Sequence, residues 1–224
     1  MSVSIVVLMG PPGSGKGTQA KGLADKFPGW VHISTGDLFR GEISSNSALG
    51  SSVKTTLAKG KLVSDELTNQ IFRSQVEKIM TSQSPKVLML DGYPRTSAQA
   101  GFLMNFCLEK GLGRPHVVEF FISEDGVVTR LQDRLINPRT GRIYHKVTNP
   151  PKKPGICDDD GGALVQRPDD RPETIRARYR LYQEQRDGIQ AAIGGPESLR
   201  QIEAIGSPTD VERTLVLAIA PAVT

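Results

Sequence analysis

One segment constrains this chain more than any other. Gly10-Pro11-Pro12-Gly13-Ser14-Gly15-Lys16-Gly17-Thr18 lies between a short apolar run and an amphipathic one. Glycines at a strand-to-helix junction let the backbone curl until successive N–H groups face a single anion at the positive end of the helix. Lys16 adds a point charge suited to the β- and γ-phosphates of a nucleotide. A plain connecting turn needs neither the lysine nor the strand–loop–helix setting. The residue after Lys16 is Gly17, where motor ATPases and GTPases carry a hydroxyl that ligates Mg²⁺. Thr18 follows it, so the pattern points to a metal held by water and by the phosphates more than by the loop.

The rest of the chain alternates in the way a parallel sheet wrapped by helices requires. Ile5–Met9, Val31–Ile33, Val87–Leu90, Val117–Ile122 and Gln201–Ile205 are short, mostly β-branched runs, as expected of strands buried on both faces. Helices are predicted over Lys16–Phe27, over Ser47–Lys59 with Gly60 as its C′ residue, and over Thr96–Lys110 ending at Gly111. Ser64 offers an N-cap, with Asp65 and Glu66 in the first turn behind it. Thr209-Asp210-Val211-Glu212 reads as a capping box opening the last helix. Two regions break the alternation. Ser34–Val63 places two helices between strands, and Leu135–Asp170 is a Pro/Gly-rich polar stretch wedged between helices. A loop of that length in a compact domain is usually functional. Weak alternation in Arg142–Val147, after a turn at Asn137-Pro138-Arg139-Thr140-Gly141, predicts a small β-built lid.

Composition narrows the partners. At 224 residues, 38% apolar and 23% charged, the chain fits one globular unit with a modest insertion. No run approaches the ~18 apolar residues of a membrane span, and no basic leader precedes Ile5, so a cytoplasmic location with no membrane contact is expected. Cys107 and Cys157 show no sign of pairing, consistent with a reducing compartment. Net charge is +4 with only 5% aromatics. Nucleic-acid binding calls for clustered basic residues with stacking rings, so phosphate-bearing small molecules are the better account of the excess.

Val87–Leu90 runs into Asp91-Gly92-Tyr93-Pro94-Arg95. An aspartate ending an apolar strand beside a phosphate loop can reach Mg²⁺ or its waters. No glutamate follows it to polarise an attacking water, and no Asn-Lys-x-Asp guanine-reading motif occurs. Both features disfavour an ATPase motor or a GTPase switch. Ile175, Arg178, Tyr182 and Ile189 share a helical face, which places Arg178 inward and in need of an anionic partner, while Arg176 and Arg180 point elsewhere.

Together, Gly10–Thr18 and Asp91–Arg95 resemble the adenylate kinase family, and the match runs over nearly the whole chain. Ser34–Arg40, Gly60–Val63, Gly141–His145 and the arginines 134, 167 and 178 agree in order and spacing. The resemblance implies reversible transfer of the γ-phosphoryl of MgATP to AMP, giving two ADP. It implies an α/β P-loop kinase core with a parallel five-stranded sheet flanked by helices (residues 1–33, 64–132 and 171–224). A helical AMP-binding insertion (34–63) and a small β lid (133–170) would complete it. Carried over by position, Gly13, Ser14, Gly15, Lys16, Gly17, Thr18, Arg130, Arg134, Ile143, Tyr144 and Ser207 are expected at ATP. Thr35, Gly36, Arg40, Lys61, Leu62, Val63, Gly92, Tyr93, Pro94, Arg95, Gln99, Arg167 and Arg178 are expected at AMP. Lys16, Arg95, Arg134, Arg167 and Arg178 would surround the transferring phosphoryl, and Asp91 would hold Mg²⁺ through water. Arg40 supplies a phosphate fork, the Gln99 amide can read a base edge, and His145 stands beside Tyr144 where the family places backbone and ring contacts to adenine. Asp169 and Asp170 would partner arginines when the lid closes. Some members staple the lid with zinc through mostly cysteine ligands. With Cys157 alone in this lid, no structural zinc is expected. A monomer is implied.

Rival readings are another nucleoside monophosphate kinase, a hydrolytic switch and a non-catalytic nucleotide binder. The long lid disfavours the uridylate/cytidylate type, and Gln19 after Thr18 resembles ATP users more than GTP:AMP phosphotransferases. Phosphate-facing arginines on several separate segments exceed what a mere binder needs.

Overall fold

The computed structural model describes residues 3–44, 48–58, 62–194 and 199–223. Five parallel strands form the central sheet: β1 (Ser4–Met9), β2 (Trp30–Ser34), β3 (Val87–Asp91), β4 (His116–Phe121) and β7 (Leu199–Glu203), in the order β2-β3-β1-β4-β7. β1 lies between β3 and β4, with Leu8 opposite Asp91 and Met9 opposite Glu119. That register brings the carboxyl ends of β1, β3 and β4 to one edge, where ligands of open α/β sheets bind.

The alternating faces of these strands feed two cores. Val6, Leu8, Met89, Val118 and Phe120 pack with α1 (Lys16–Lys26), α6 (Glu124–Gln132) and α8 (Pro208–Val223). Ile5, Val7, Leu88, Leu90 and Val117 pack with α4 (Asp65–Gln83), α5 (Ser97–Glu109) and α7 (Pro172–Ile193). Each such side chain contributes about 1.5–3 kcal/mol relative to exposure. α7 is also tied to β4 by a buried carboxylate. Glu119 accepts from Tyr182 Oη at 2.5 Å, from Arg186 at 2.5 and 2.7 Å, and from Gln201 at 3.3 Å. This cluster sets the register of the helix that carries Arg178.

Between β2 and α4 stand α2 (Thr35–Ser44) and α3 (Ala48–Ala58), sharing a small core of Phe39, Val53 and Val63. Gly60 and Lys61, expected to end the second helix and to meet AMP, lie outside the described residues, as do Ser47 and Lys59. Between α6 and α7 the chain leaves the sheet and forms an antiparallel pair, β5 (Arg134–Ile136) with β6 (Ile143–His145), joined to Val165 by a further bridge. Inside this excursion Asp160 accepts from Asn137 Nδ2 at 2.7 Å, from Gly162 N at 2.9 Å and from Arg139 at 2.6 Å. A short 3₁₀ turn, Pro168–Asp170, returns the chain to α7. Among the described residues no helix is long and apolar enough to cross a membrane.

Several local expectations change. The last strand is Leu199–Glu203, not Gln201–Ile205, because pairing to β4 stops at Phe121 opposite Glu203 and leaves Ile205 61% exposed. The cap of α8 is Ser207, whose Oγ accepts from Asp210 N at 3.2 Å and donates to Asp210 Oδ2 at 2.6 Å. The box therefore begins two residues before Thr209. Ser34 caps α2, its Oγ accepting from Asp37 N at 3.3 Å.

Candidate functional site

The phosphate loop leaves β1 at Gly10 and enters α1 at Lys16. Ser14 is buried, and Lys16 folds back over the loop, its Nζ donating to Gly10 O and Pro11 O at 2.8 Å and to Ser14 Oγ at 3.0 Å. Burial pushes the Lys16 ammonium down to about 8, although Asp91 pulls it up; Arg95, Arg178 and Arg134 depress it further. Three cationic segments therefore converge electrostatically on the loop. An ammonium with only neutral oxygens around it is poised for an anion to replace them.

Asp91 ends β3 directly above α1. A Cβ built on Gly17 would lie 2.8 Å from Asp91 Oδ2, so the space a serine or threonine would fill at this position is taken by the carboxylate. Burial would raise the Asp91 carboxyl, but His32, Lys16 and Arg95 outweigh it and hold the group below its usual range. His32 Nε2 stands 3.4 Å from Asp91 Oδ2 and has no hydrogen-bond partner of its own among the described residues. This neighbour escaped the sequence, where a lone histidine in a strand carries no signal. An ionised carboxylate facing the loop, with a hydroxyl sterically excluded beside it, suits a metal bound through water.

Thr35 and Arg95 meet on one acceptor. Thr35 Oγ1 donates to Gly92 O at 2.7 Å and Arg95 Nε to the same oxygen at 2.8 Å. Gly92 has φ +76°, and an added Cβ would lie 2.7 Å from the Arg95 guanidinium and 2.9 Å from Thr35 Oγ1, so only glycine fits. Arg95 is lowered to about 10, first by burial and then by Arg178. Tyr93 is core: buried, stacked on Phe72, and donating to Asn69 Oδ1 at 2.7 Å. The buried Gln99 accepts from Arg95 N at 2.8 Å and donates to Asp65 Oδ1 at 2.7 Å. Its amide is thus oriented by the protein, with one N–H and one lone pair left. Arg40 pairs with Asp37 and covers Gly36, while Val63 is buried against Phe39 and Leu62 is half-buried beside it.

The lid arginines sit on its two stems. Arg134 donates to the fully buried Asp170 at 2.8 and 2.5 Å, and Arg178 donates to Asp169 Oδ2 at 2.6 Å. Both acids therefore partner arginines, as expected. Arg167 differs: its Nε is buried with no acceptor among the described residues, and burial, then Arg134 and Arg40, lower it to about 10. A buried unpaired donor costs about 1–3 kcal/mol and calls for an acceptor, which an anionic ligand supplies.

The ATP-side residues are less concentrated. α6 ends at Gln132, so Arg130 lies on the helix and Arg134 opens β5; Arg130 donates to Ala204 O, beside the bend that holds Ser207. The Tyr144 ring is turned into the lid, 1% exposed, where its hydroxyl accepts from Asp158 N at 2.8 Å. The adjacent Ile143 is 37% exposed, and both residues keep their hydrogen bonds within the lid.

Comparison with known proteins agrees with this geometry. A family model described as adenylate kinase matches residues 8–191. The chain is 38% identical over 207 residues to an adenylate kinase of Anaeromyxobacter sp. (strain Fw109-5), covering 92% of this chain and 95% of that one. It is 47% identical over 177 residues to one of Thermosipho melanesiensis, with 79% and 81% covered. To one of Thermotoga neapolitana it is 41% identical over 202 residues, with 90% of each covered.

Proposed function

The chain belongs to the adenylate kinase family, a nucleotide kinase moving a phosphoryl group between ATP and AMP, and we propose that it does so by direct in-line transfer across the crevice between Lys16 and Arg95. The observation that carries this reading is the convergence of Lys16, Arg95, Arg134 and Arg178 in one electrostatic field. Phosphoryl transfer needs no protein nucleophile; it needs positioning and charge stabilisation of the equatorial oxygens.

In this reading Gly13–Thr18 cradle the triphosphate and Lys16 turns from its loop carbonyls to the phosphates. Arg130, Ser207, Ile143 and the Tyr144 backbone border the ATP base. Thr35, Gly36, Arg40, Leu62, Val63, Gly92–Arg95 and Gln99 form the AMP side, with Lys61 joining them. Arg167, with its unpaired Nε, and Arg178 face the AMP phosphate and the group in transfer. Mg²⁺ accompanies ATP and would be held by Asp91 through water, lending charge neutralisation to the phosphates. Residues 34–63 act as the AMP-binding part, 133–170 as the lid and the remainder as the core. Closing the lid excludes water that would otherwise hydrolyse ATP. The enzyme works as a cytoplasmic monomer.

A coupled assay with ATP and each nucleoside monophosphate tests the reading. ADP made from ATP with AMP, and not from ATP alone, is expected; steady hydrolysis without AMP would overturn it.

A further inference from the structure

Arg178 rides on a helix whose anchor lies away from its own charge. Arg178, Tyr182 and Arg186 stand four residues apart along α7, so they share one stripe of its surface. Arg178 donates to Asp169 Oδ2, on the stem of the lid, at 2.6 Å. The other two members of the stripe turn to the sheet. Tyr182 Oη and Arg186 Nε both donate to Glu119 Oε1 at 2.5 Å, and Arg186 Nη2 donates to Oε2 at 2.7 Å. Gln201, opposite Glu119 on β7, adds a bond of 3.3 Å.

A carboxylate is a costly choice at this place. Glu119 is 3% exposed and shares with Val117 the sheet face that packs against α7. An apolar side chain would fill the space without taking a charge out of water. Burial would raise the Glu119 carboxyl, but Arg186 and Tyr182 outweigh it and hold it below its usual range. What the carboxylate adds over an apolar contact is direction. An apolar face lets a helix slide or turn by small amounts; an arginine fork and a phenol on one carboxylate fix both its rotation and its height.

The same carboxylate stands beside the root of the phosphate loop. Glu119 is opposite Met9 in the β1–β4 pairing, one residue before Gly10. A Cβ added to Gly10 would lie 2.8 Å from Phe120 O, so loop and strand touch at the residue after Glu119. Farther out the loop and α7 part. A cavity of about 240 Å³ is lined by Pro11 from the loop and by Tyr182, Gln183 and Arg186 from the helix, with Glu119 and Gln201 beside them. Across this gap loop and helix are joined through Glu119.

Resting on the reading of Arg178 as a group at the transferring phosphoryl, we propose that Glu119 is a positioning residue for the transfer: through Tyr182 and Arg186 it holds α7, and with it Arg178, in a fixed place relative to the phosphate loop. The first turn of α7 follows directly on the lid stem, and Arg178 is bonded to that stem. A moving lid therefore pulls on the helix that bears the arginine. The anchor lies about one and two turns further along and is fastened to the central sheet. Glu119 acts through the helix and meets neither nucleotide.

The test is a double-mutant cycle on the full chain. It reads kcat for ADP formation from ATP and AMP, at a temperature where circular dichroism shows every variant folded. Arg186→Met removes the fork and keeps an apolar stem; Glu119→Gln removes the charge the fork grips. Each should lower kcat roughly tenfold and leave the KM for ATP within about twofold, as a displaced catalytic group does. In a chain that already carries Arg178→Ala, the same changes should cost less than about twofold, because the arginine they position is gone. A merely stabilising cluster would cost the same in both backgrounds. Equal losses in the two backgrounds, or no loss in the parent, overturn the proposal. Near-normal kcat for Arg178→Ala alone removes that arginine from the transfer, and this inference with it. A low kcat there, with equal losses from Arg186→Met in both backgrounds, removes only the role of Glu119. Should neither variant fold, Tyr182→Phe runs the same cycle by deleting one donor and keeping the ring. Its loss should be roughly threefold in the parent and absent beside Arg178→Ala, and equal losses again overturn the proposal.

Discussion

Arg134 and Asp170 clasp the two stems of the lid: the arginine opens β5, the aspartate closes the 3₁₀ turn before α7, and two hydrogen bonds of 2.8 and 2.5 Å join them. Asp170 is wholly buried and has no water to fall back on, while Arg134 keeps 16% of its side chain exposed. Removing one partner of such a pair costs far more than removing both. Arg134→Ala should therefore lower unfolding free energy by about 3–5 kcal/mol in denaturant titration, in addition to its loss of turnover. Asp170→Asn, which keeps the shape without the charge, should cost less. An Arg134→Ala chain as stable as the parent would mean the clasp contributes nothing.

Lys16→Met separates chemistry from folding. Among the described residues the ammonium hydrogen-bonds only its own loop, through Gly10 O, Pro11 O and Ser14 Oγ. Turnover should drop on the order of 10²- to 10³-fold, as when a group stabilising transition-state charge is removed, while the unfolding midpoint at neutral pH does not fall, because the burial penalty of the ammonium is removed with it. Near-normal kcat would remove Lys16 from the mechanism.

The same lysine gives a pH signature. Its value falls from 10.5 to about 8 in the unliganded chain, chiefly through burial. Above that pH the free enzyme carries a neutral amine, whereas bound phosphates favour the ammonium, so ATP binding takes up a proton. Calorimetry in buffers of different ionisation enthalpy should detect this uptake at alkaline pH, not at neutral pH, and not in Lys16→Met. Stability runs the other way. The folded chain holds the proton less tightly than the unfolded chain, so the burial penalty is full below about 8 and is relieved as pH rises towards 10.5.

Gly17→Ser would restore the hydroxyl of other phosphate-loop enzymes but drive a Cβ to 2.8 Å from Asp91 Oδ2. The carboxylate must shift, and rates titrated with Mg²⁺ should show a higher half-saturating concentration and a kcat lowered roughly tenfold or more. Unchanged Mg²⁺ dependence would show that Asp91 has no part in holding the metal.

Much of this was legible in the residue order, for physical reasons. The phosphate loop and Asp91–Arg95 are contiguous, and backbone geometry forces the residue types that occupy them. Arg178 was legible because helical periodicity placed a charge on an apolar face. What stayed hidden depends on contacts between distant segments. The His32–Asp91 and Gln19–Pro208 contacts and the grip of Arg186 on Glu119 each join residues whose local sequence is unremarkable. The end of α6 at Gln132, which makes Arg134 the first residue of a strand, also carries no periodic signal.

The Gly92 carbonyl receives both Thr35 and Arg95. One peptide plane is thus a common datum for the side chain that opens α2 and for the Arg95 guanidinium, proposed above to meet the transferring phosphoryl. A rotation of that plane disturbs recognition of the acceptor and stabilisation of the transfer together. Acceptor choice and catalytic power are therefore mechanically inseparable here, and a redesign of the monophosphate pocket that shifts this peptide will lose speed before it gains a new substrate.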